Sequence, residues 1–392
     1  MSDTTVVIAS ACRTPIGSFM GALSPLTAPQ LGSIAIREAL LRAGLKGEDI
    51  SEVLMGEVLT AGVGQAPARQ AALGAGVPDT VPCTTINKVC GSGLKAVMLA
   101  AQAIQTGDAD IVVAGGMESM SNAPYLLDRA RSGYRLGHGM LADSLIRDGL
   151  WDVYNDFHMG DAAEACAREC HISREAQDAF AIQSYRKAQA AQAGGYFREE
   201  IAPVVVEGRK GPTGVSEDEE PGKADFDRIP RLKPVFQKDG TVTAANASSL
   251  GDGAAACVLM SERRARDLGL EPLARIVAQA SAAREPARFT LAPAKVIPRV
   301  LSRASLALSD IDLFEINEAF AVVNLAVGQI LGLDTDRLNV HGGAVALGHP
   351  IGASGARILV TLLYAMKRYD RRRGLAALCI GGGEATALIV ER

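Results

Sequence analysis

The chain is poor in aromatic residues, 4% of its 392 positions, with a single tryptophan. Small residues must therefore fill the core, and abundant alanine and glycine suit helices packed closely on a sheet. There is no excess of positive charge. The net charge is −4 and the isoelectric point near 5.8, which argues against general binding to nucleic acid or an anionic membrane, both of which need a basic face. No apolar run reaches membrane-spanning length. The start, Met1-Ser2-Asp3-Thr4-Thr5, lacks the basic residues of a secretory leader, so a cytoplasmic location is expected. The seven cysteines are odd in number and widely spread, which fits reduced thiols better than a disulfide framework.

Common ligand motifs are missing as well. No Walker loop occurs. Gly62-Val63-Gly64-Gln65-Ala66-Pro67 starts like a dinucleotide loop but has Pro67 where the last glycine belongs. Cys166-x3-Cys170-His171 puts two thiols on one helix face without an evident fourth ligand, and no metal site is expected. The basic run Lys367-Arg368 to Arg371-Arg372-Arg373 reads as a solvated helix end.

What is present is an alternation of strands and helices, read as α/β with parallel pairing. Residues 4–10, 51–58, 80–86 and 109–114 read as strands. Residues 28–43, 66–73 and 94–104 read as helices. Residues 119–239 are irregular, with one long helical stretch over 161–193, interrupted near residue 171. The acidic run Glu217-Asp218-Glu219-Glu220 reads as a solvated loop. The chain then returns to the first core and closes that half with a helix over 262–268. The expected division is 1–118 with 241–269 as a first half, 119–240 as an inserted loop domain, and 270–392 as a second half.

An internal repeat underlies this division. Leu41-Arg42-Ala43 through Asp49-Ile50 to Glu57 matches Ser302-Arg303-Ala304 through Asp310-Ile311 to Glu318 at an offset of 261. Gly91-Ser92-Gly93 matches Ala353-Ser354-Gly355 at an offset of 262. Residues 111–118 match residues 377–384 at an offset of 266, pairing Gly115-Gly116 with Gly381-Gly382. A cleft between duplicated halves is a natural site.

The stretch Asn87-Lys88-Val89-Cys90-Gly91-Ser92-Gly93 carries the first candidate chemistry. A cysteine at a strand-to-helix junction lies beside free N–H groups and a helix dipole, both of which favour the nucleophilic thiolate. Its glycines would let a substrate carbonyl approach. A buried cysteine is more often plain core. The second half supplies Asn317-Glu318-Ala319-Phe320, the loop Gly348-His349-Pro350-Ile351-Gly352, and Cys379-Ile380-Gly381-Gly382-Gly383. Each has an ordinary explanation: a histidine in a turn, a core thiol, packing glycines. If the halves face one another, however, Cys90, His349 and Cys379 converge. His349 would then take the thiol proton or pair with the thiolate. A second thiol would move a proton on a carbon acid.

On these four motifs the chain resembles the thiolases, over essentially its whole length. Gly64-Gln65, Pro67-Ala68-Arg69-Gln70 and His158-Met159-Gly160 resemble the biosynthetic branch. The resemblance implies two β-α-β-α-β-α-β-β halves in five layers with an inserted loop domain, and a homotetramer built as a dimer of dimers. It implies an acyltransferase that reversibly condenses two acetyl-CoA to acetoacetyl-CoA and CoA, with coenzyme A thioesters as substrates and no cofactor. Cys90 would be acylated, His349 would activate it, and Cys379 would be the acid/base. His349 with a water held by Asn317 would form one oxyanion hole, and the N–H groups of Cys90 and Gly381 the other. Leu150, His158, Met159, Ser248, Ala319 and Phe320 would line the pantetheine and acyl channel. Departures from the family pattern are Ala245 for a glycine, Phe157 for a tyrosine, and a weakened basic pattern around Pro221-Gly222-Lys223, where Lys223 or Arg228 would stand in. A broad-range 3-ketoacyl-CoA thiolase, or a non-catalytic CoA-binding protein, are the competing readings.

Overall fold

The computed structural model describes residues 4–209 and 211–392. The Met1-Ser2-Asp3 part of the leader argument lies outside them. The first half runs β1 (Val6–Arg13), α1 (Ala28–Ala43), β2 (Glu52–Gly56), α2 (Pro67–Gly74), β3 (Cys83–Ile86), α3 (Ser92–Thr106) and β4 (Ile111–Ser119). The inserted region carries α4 (Met159–Glu169) and α5 (Arg174–Ala193). The expected long helix is thus two, separated at His171, whose φ of 53° leaves the helical region. The half closes with β5 (Gly251–Ser261) and α6 (Glu262–Asp267). The second half runs β6 (Ala274–Ala283), α7 (Pro293–Ala304), β7 (Leu313–Ile316), α8 (Ala321–Leu331), α9 (Ala344–Leu347), α10 (Ile351–Arg368), β8 (Arg373–Ile380) and β9 (Glu384–Glu391).

The nine strands form one continuous sheet in the order β7-β8-β9-β6-β1-β5-β4-β2-β3, with Gly17–Ser18 added beside β5. On each side of the β6–β1 join the pattern is the same. β1 pairs antiparallel with β5 and β5 with β4, and then β4, β2 and β3 are parallel. Likewise β6 pairs antiparallel with β9 and β9 with β8, while β8 and β7 are parallel. A single parallel bridge between Phe314 and Leu338 stands where β3 stands in the first half. Local details repeat too. Asp49 Oδ2 accepts the N–H of Lys46 at 2.8 Å, and Asp310 Oδ2 accepts the N–H of Ala307 at 2.8 Å.

Because both faces of the strands are covered, alternate residues enter different cores. Val53 and Met55 pack under α1 and α2, and Leu54 faces α3 and α10. In the second half Leu375 and Ala377 face α7 and α8, and Ala376 and Leu378 face α3 and α10. The layers are therefore α1 and α2, one half-sheet, α3 and α10, the other half-sheet, α7 and α8. At the centre Gly93 and Gly355 let α3 and α10 meet at backbone distance. A Cβ on Gly93 would lie 2.8 Å from the amide nitrogen of Ala356, and one on Gly355 would meet that of Leu94.

Two expectations are corrected. The ladders pair Val53 with Val113 and Phe314 with Leu375. β8 is therefore offset from β4 by 262, not 266. Gly115 and Gly116 are strand residues, and Gly381, Gly382 and Gly383 lie in the turn after the equivalent strand. The acidic run over residues 217–220 is also solvated only in part: Glu217 is exposed, Glu219 and Glu220 are half-buried, and Asp218 is interior. Asp218 is buried and takes two hydrogen bonds from Arg13, at 2.7 and 2.9 Å, and one from the Ile16 N–H at 2.7 Å. Glu200 takes a third from Arg13 at 2.6 Å. An arginine buried on β1 draws these acids inward, because an unpaired interior cation would be far costlier.

Candidate active site

Cys90 sits in a tight turn between β3 and α3. Val89 just before it has a φ of 47°, a left-handed conformation that is strained for a β-branched residue. Local hydrogen bonds hold it there. Asn87 Oδ1 accepts the Val89 N–H at 2.9 Å, Ser92 Oγ accepts the Lys88 N–H at 2.8 Å, and the Ser92 hydroxyl donates to the Val89 carbonyl at 2.6 Å. Lys88 is ion-paired with Glu384, which ties this turn to the one after β8. Gly91 does not open a path for substrate. A Cβ there would run into Ile380, so the glycine makes room for the second half.

The N–H groups of Gly381 and of Cys90 itself interact with the Cys90 thiol. Gly381 is placed by a turn in which Gly382 and Gly383 have φ of 86° and 87°. A Cβ on Gly383 would strike the Arg284 carbonyl. Cys379, fully buried at the end of β8, is close enough to Cys90 to feel the charge of its thiolate.

His349 lies on the loop entering α10, with its N–H bound to the Ser249 carbonyl at 2.8 Å. Its Nδ1 is 2.5 Å from Ser354 Oγ, and Ser354 donates its one hydroxyl proton to the Pro350 carbonyl at 2.9 Å. Nδ1 must therefore carry a proton and donate to Ser354, which leaves Nε2 bare. Asn317 agrees with this tautomer, since its Nδ2 faces Nε2 at 3.5 Å while its Oδ1 accepts from Arg357 at 3.4 Å. Glu118 holds the loop from behind. It accepts the N–H groups of Gly352 at 2.8 Å, Val58 at 3.1 Å and Leu59 at 3.2 Å.

Burial dominates the electrostatics. It pushes the Cys90 thiol up to about 11, against the lowering pull of the Gly381 and Cys90 N–H groups. It drives His349 down to about 3, assisted by the positive charge of Arg357. Cys379 is raised well above the ordinary thiol value, by burial first and the neighbouring Cys90 second. The resting site thus holds two thiols and a neutral imidazole. The thiolate expected from the helix dipole is overridden by desolvation.

A cavity of about 300 Å³ opens at Cys90, Gly381 and His349. Its walls include Leu150, His158, Met159, Ser248, Ala319 and Phe320. Asn317 and Cys379 stand behind its surface. Phe236 and Val235 complete one wall, and nothing in their irregular surroundings signals this in the sequence. Phe236 stacks on His158 with ring centroids 4.8 Å apart and fits over Gly160, where a Cβ would collide with it. Ser354 was legible in principle, because its repeat partner Ser92 adjoins Cys90. Among the described residues no group of His, Cys, Asp or Glu is placed to hold a metal ion.

Residues 6–263 match the family described as thiolase, N-terminal domain, and residues 270–392 match thiolase, C-terminal domain. The chain belongs to the thiolase family. Its five layers and duplicated halves are the thiolase fold. It is 58% identical over 391 residues to a protein of Cupriavidus necator named acetyl-CoA acetyltransferase, covering 99% of this chain and 100% of that one. Proteins of the same name from Pseudomonas aeruginosa and Schizosaccharomyces pombe are 55% and 53% identical, over 99% and 100% of both chains. The Cys90 turn, the His349 loop and the Gly381 turn of this thiolase thus meet at one cavity, with Asn317 and Cys379 directly behind.

Proposed function

We propose that this thiolase condenses two acetyl-CoA to acetoacetyl-CoA and CoA through an acetyl-Cys90 intermediate. The observation that carries the reading is the convergence of one thiol, a bare imidazole nitrogen and two N–H donors on one cavity, with a second thiol directly behind them. The Cys90 thiol gives its proton to His349 Nε2 as sulfur attacks the thioester carbonyl. The N–H groups of Cys90 and Gly381 stabilise the oxyanion. The departing CoA sulfur takes the proton of Cys379. The resulting pair, His349 imidazolium and Cys379 thiolate, is created by acylation and need not exist at rest. Cys379 then removes a methyl proton from the second acetyl-CoA, and His349, with the water held by Asn317, stabilises the enolate oxygen. The enolate attacks the acetyl group, and the Cys90 sulfur leaves and recovers the proton from His349. Atoms and charge balance over the cycle.

The wall formed by Leu150, His158, Met159, Ser248, Ala319, Phe320 and Phe236 supports a pantetheine channel. A second cavity, lined by Lys223 and Arg228, shares Ser249 with the first, which supports placing the CoA nucleotide there. Of the two cations, Lys223 is already engaged with Glu220 at 3.1 Å. The same reading divides the chain at residues 118, 241 and 270, makes the protein a cytoplasmic homotetramer and gives it no cofactor. Leu136 and Met140, 99% and 87% exposed beside the hairpin of Tyr125–Leu127 and Leu141–Asp143, support self-association. No helix among the described residues is long and apolar enough to cross a membrane.

Substitution separates the steps. C379S is expected to slow acetylation of Cys90 only modestly, because a CoA thiolate can leave unprotonated, and to stop condensation, because the methyl proton needs the base. Equal loss of both steps would contradict the division of roles.

A further inference from the structure

We propose that Arg357 is a positioning residue for the enolate step, holding the Asn317 amide so that its NH2 faces His349. This rests on the functional reading above. An amide can flip by half a turn. Flipped, the NH2 of Asn317 would face the guanidinium, which is repulsive at every stage of the cycle, whereas the His349 side opposes the flip only while Nε2 is bare, before acylation protonates it. A fixed cation behind the amide selects the other orientation.

Arg357 lies one turn beyond Ser354 on α10, so one helix face carries both the group that fixes the His349 tautomer and the group that fixes Asn317. It is 2% exposed. Among the described residues its side chain makes one hydrogen bond, to Asn317 Oδ1 at 3.4 Å. Glu315, also buried, pairs with it at 3.6 Å without a hydrogen bond. Both Glu315 oxygens, and Nε and Nη1 of Arg357, lack hydrogen-bond partners. Arg13 nearby is the contrast: its Nε, Nη1 and Nη2 all donate, to Glu200 and Asp218. A buried pair this poorly satisfied contributes little to stability, and its one specific contact is with a residue of the site. The other charges facing Arg357 are Arg13, Glu200 and Glu318.

The test compares the two half-reactions in R357M, N317A and the double variant. Acetylation of Cys90 by acetyl-CoA is followed by quenched mass spectrometry, and condensation by turnover. R357M is expected to lower condensation about a hundredfold, as losing an oxyanion-hole donor does, with acetylation changed less than about threefold. The double variant should be no slower than N317A, because both changes remove the same positioned amide. R357K keeps the cation and should recover about tenfold over R357M. Equal loss of acetylation and condensation, or losses that add in the double variant, would overturn the inference. If methionine prevents folding, R357K against the parent decides. Condensation slowed with acetylation intact supports the role, and unchanged condensation removes it. Failure of the parent itself to acetylate Cys90 would defeat the functional reading instead, so the two failures are distinguishable.

Discussion

The two halves of the molecule build the same strand–turn–helix junction and use it differently. At the ladder offset of 262, Lys88 corresponds to Pro350 and Ser92 to Ser354. In the first half the Lys88 N–H donates to the Ser92 oxygen, and the serine locks the strained turn that presents Cys90. In the second half proline has no N–H to give. The Ser354 oxygen is left open to the Nδ1–H of His349. One substitution in a duplicated motif thus turns a backbone clamp into a group that sets a histidine tautomer. A second contrast lies between β4 and β5 on one side and β8 and β9 on the other. The first connection spans residues 120–250 and supplies Leu150, His158, Met159 and Phe236 to the cavity. The second is the three-residue turn Gly381-Gly382-Gly383, which delivers an N–H group to Cys90. One half received walls and the other kept the tight geometry that chemistry requires.

The comparison can be broken at several points. The largest effect is expected from C90S, which should abolish turnover, by about a thousandfold or more, and leave the melting temperature within a few degrees. Next comes G383A. Its new methyl collides with the Arg284 carbonyl in a left-handed turn, so Gly381 shifts and turnover should fall about tenfold to a hundredfold. The control is G107A at the end of α3, also left-handed with φ of 83° but open to solvent. It should cost about 1 kcal/mol of stability, read by denaturant titration, without changing turnover.

The serine pair gives a sharper test. S354A should lower turnover about tenfold with little change in stability, because Nδ1 loses its acceptor and the tautomer is no longer fixed. S92A should lower stability by about 1–2 kcal/mol through the unsatisfied Lys88 N–H. If both variants behaved alike, the divergence of the repeat would have no functional meaning.

A further test concerns stability against pH. Glu57 is fully buried, with neither oxygen bonded among the described residues, and burial, then the charge of Glu118, raises it to about 8. A raised carboxyl contributes stability that is complete below its unfolded value and is lost as pH rises toward 8. E57Q should therefore melt above the parent at pH 8, and the two should converge near pH 5. A parent that instead gained stability between pH 5 and 8, with E57Q unchanged, would contradict this assignment.

Much of this was legible in the chain. The repeat, the order of elements and the four motifs follow from residue types and spacing, because duplicated cores conserve apolar periods and glycines. Other features were hidden for physical reasons. Burial reversed the expected ionisation of Cys90, since desolvation depends on packing that spacing cannot report. A four-residue slip in matching Gly115 with Gly381 arose because two glycine pairs mimic one another, and only ladder register separates them. Phe236 and Arg357 act through neighbours distant in sequence, and Asp218 turns inward because Arg13 lies on the strand beneath it.

The central claim is that Cys90 carries the acetyl group. The direct measurement is peptide mass mapping after brief exposure to an equimolar mixture of acyl-CoAs of increasing chain length. An acetyl adduct confined to Cys90 is the predicted result. Longer acyl groups on Cys90 would keep the chemistry and move the protein to a broad-range thiolase. A folded protein with no adduct on Cys90 would contradict the account.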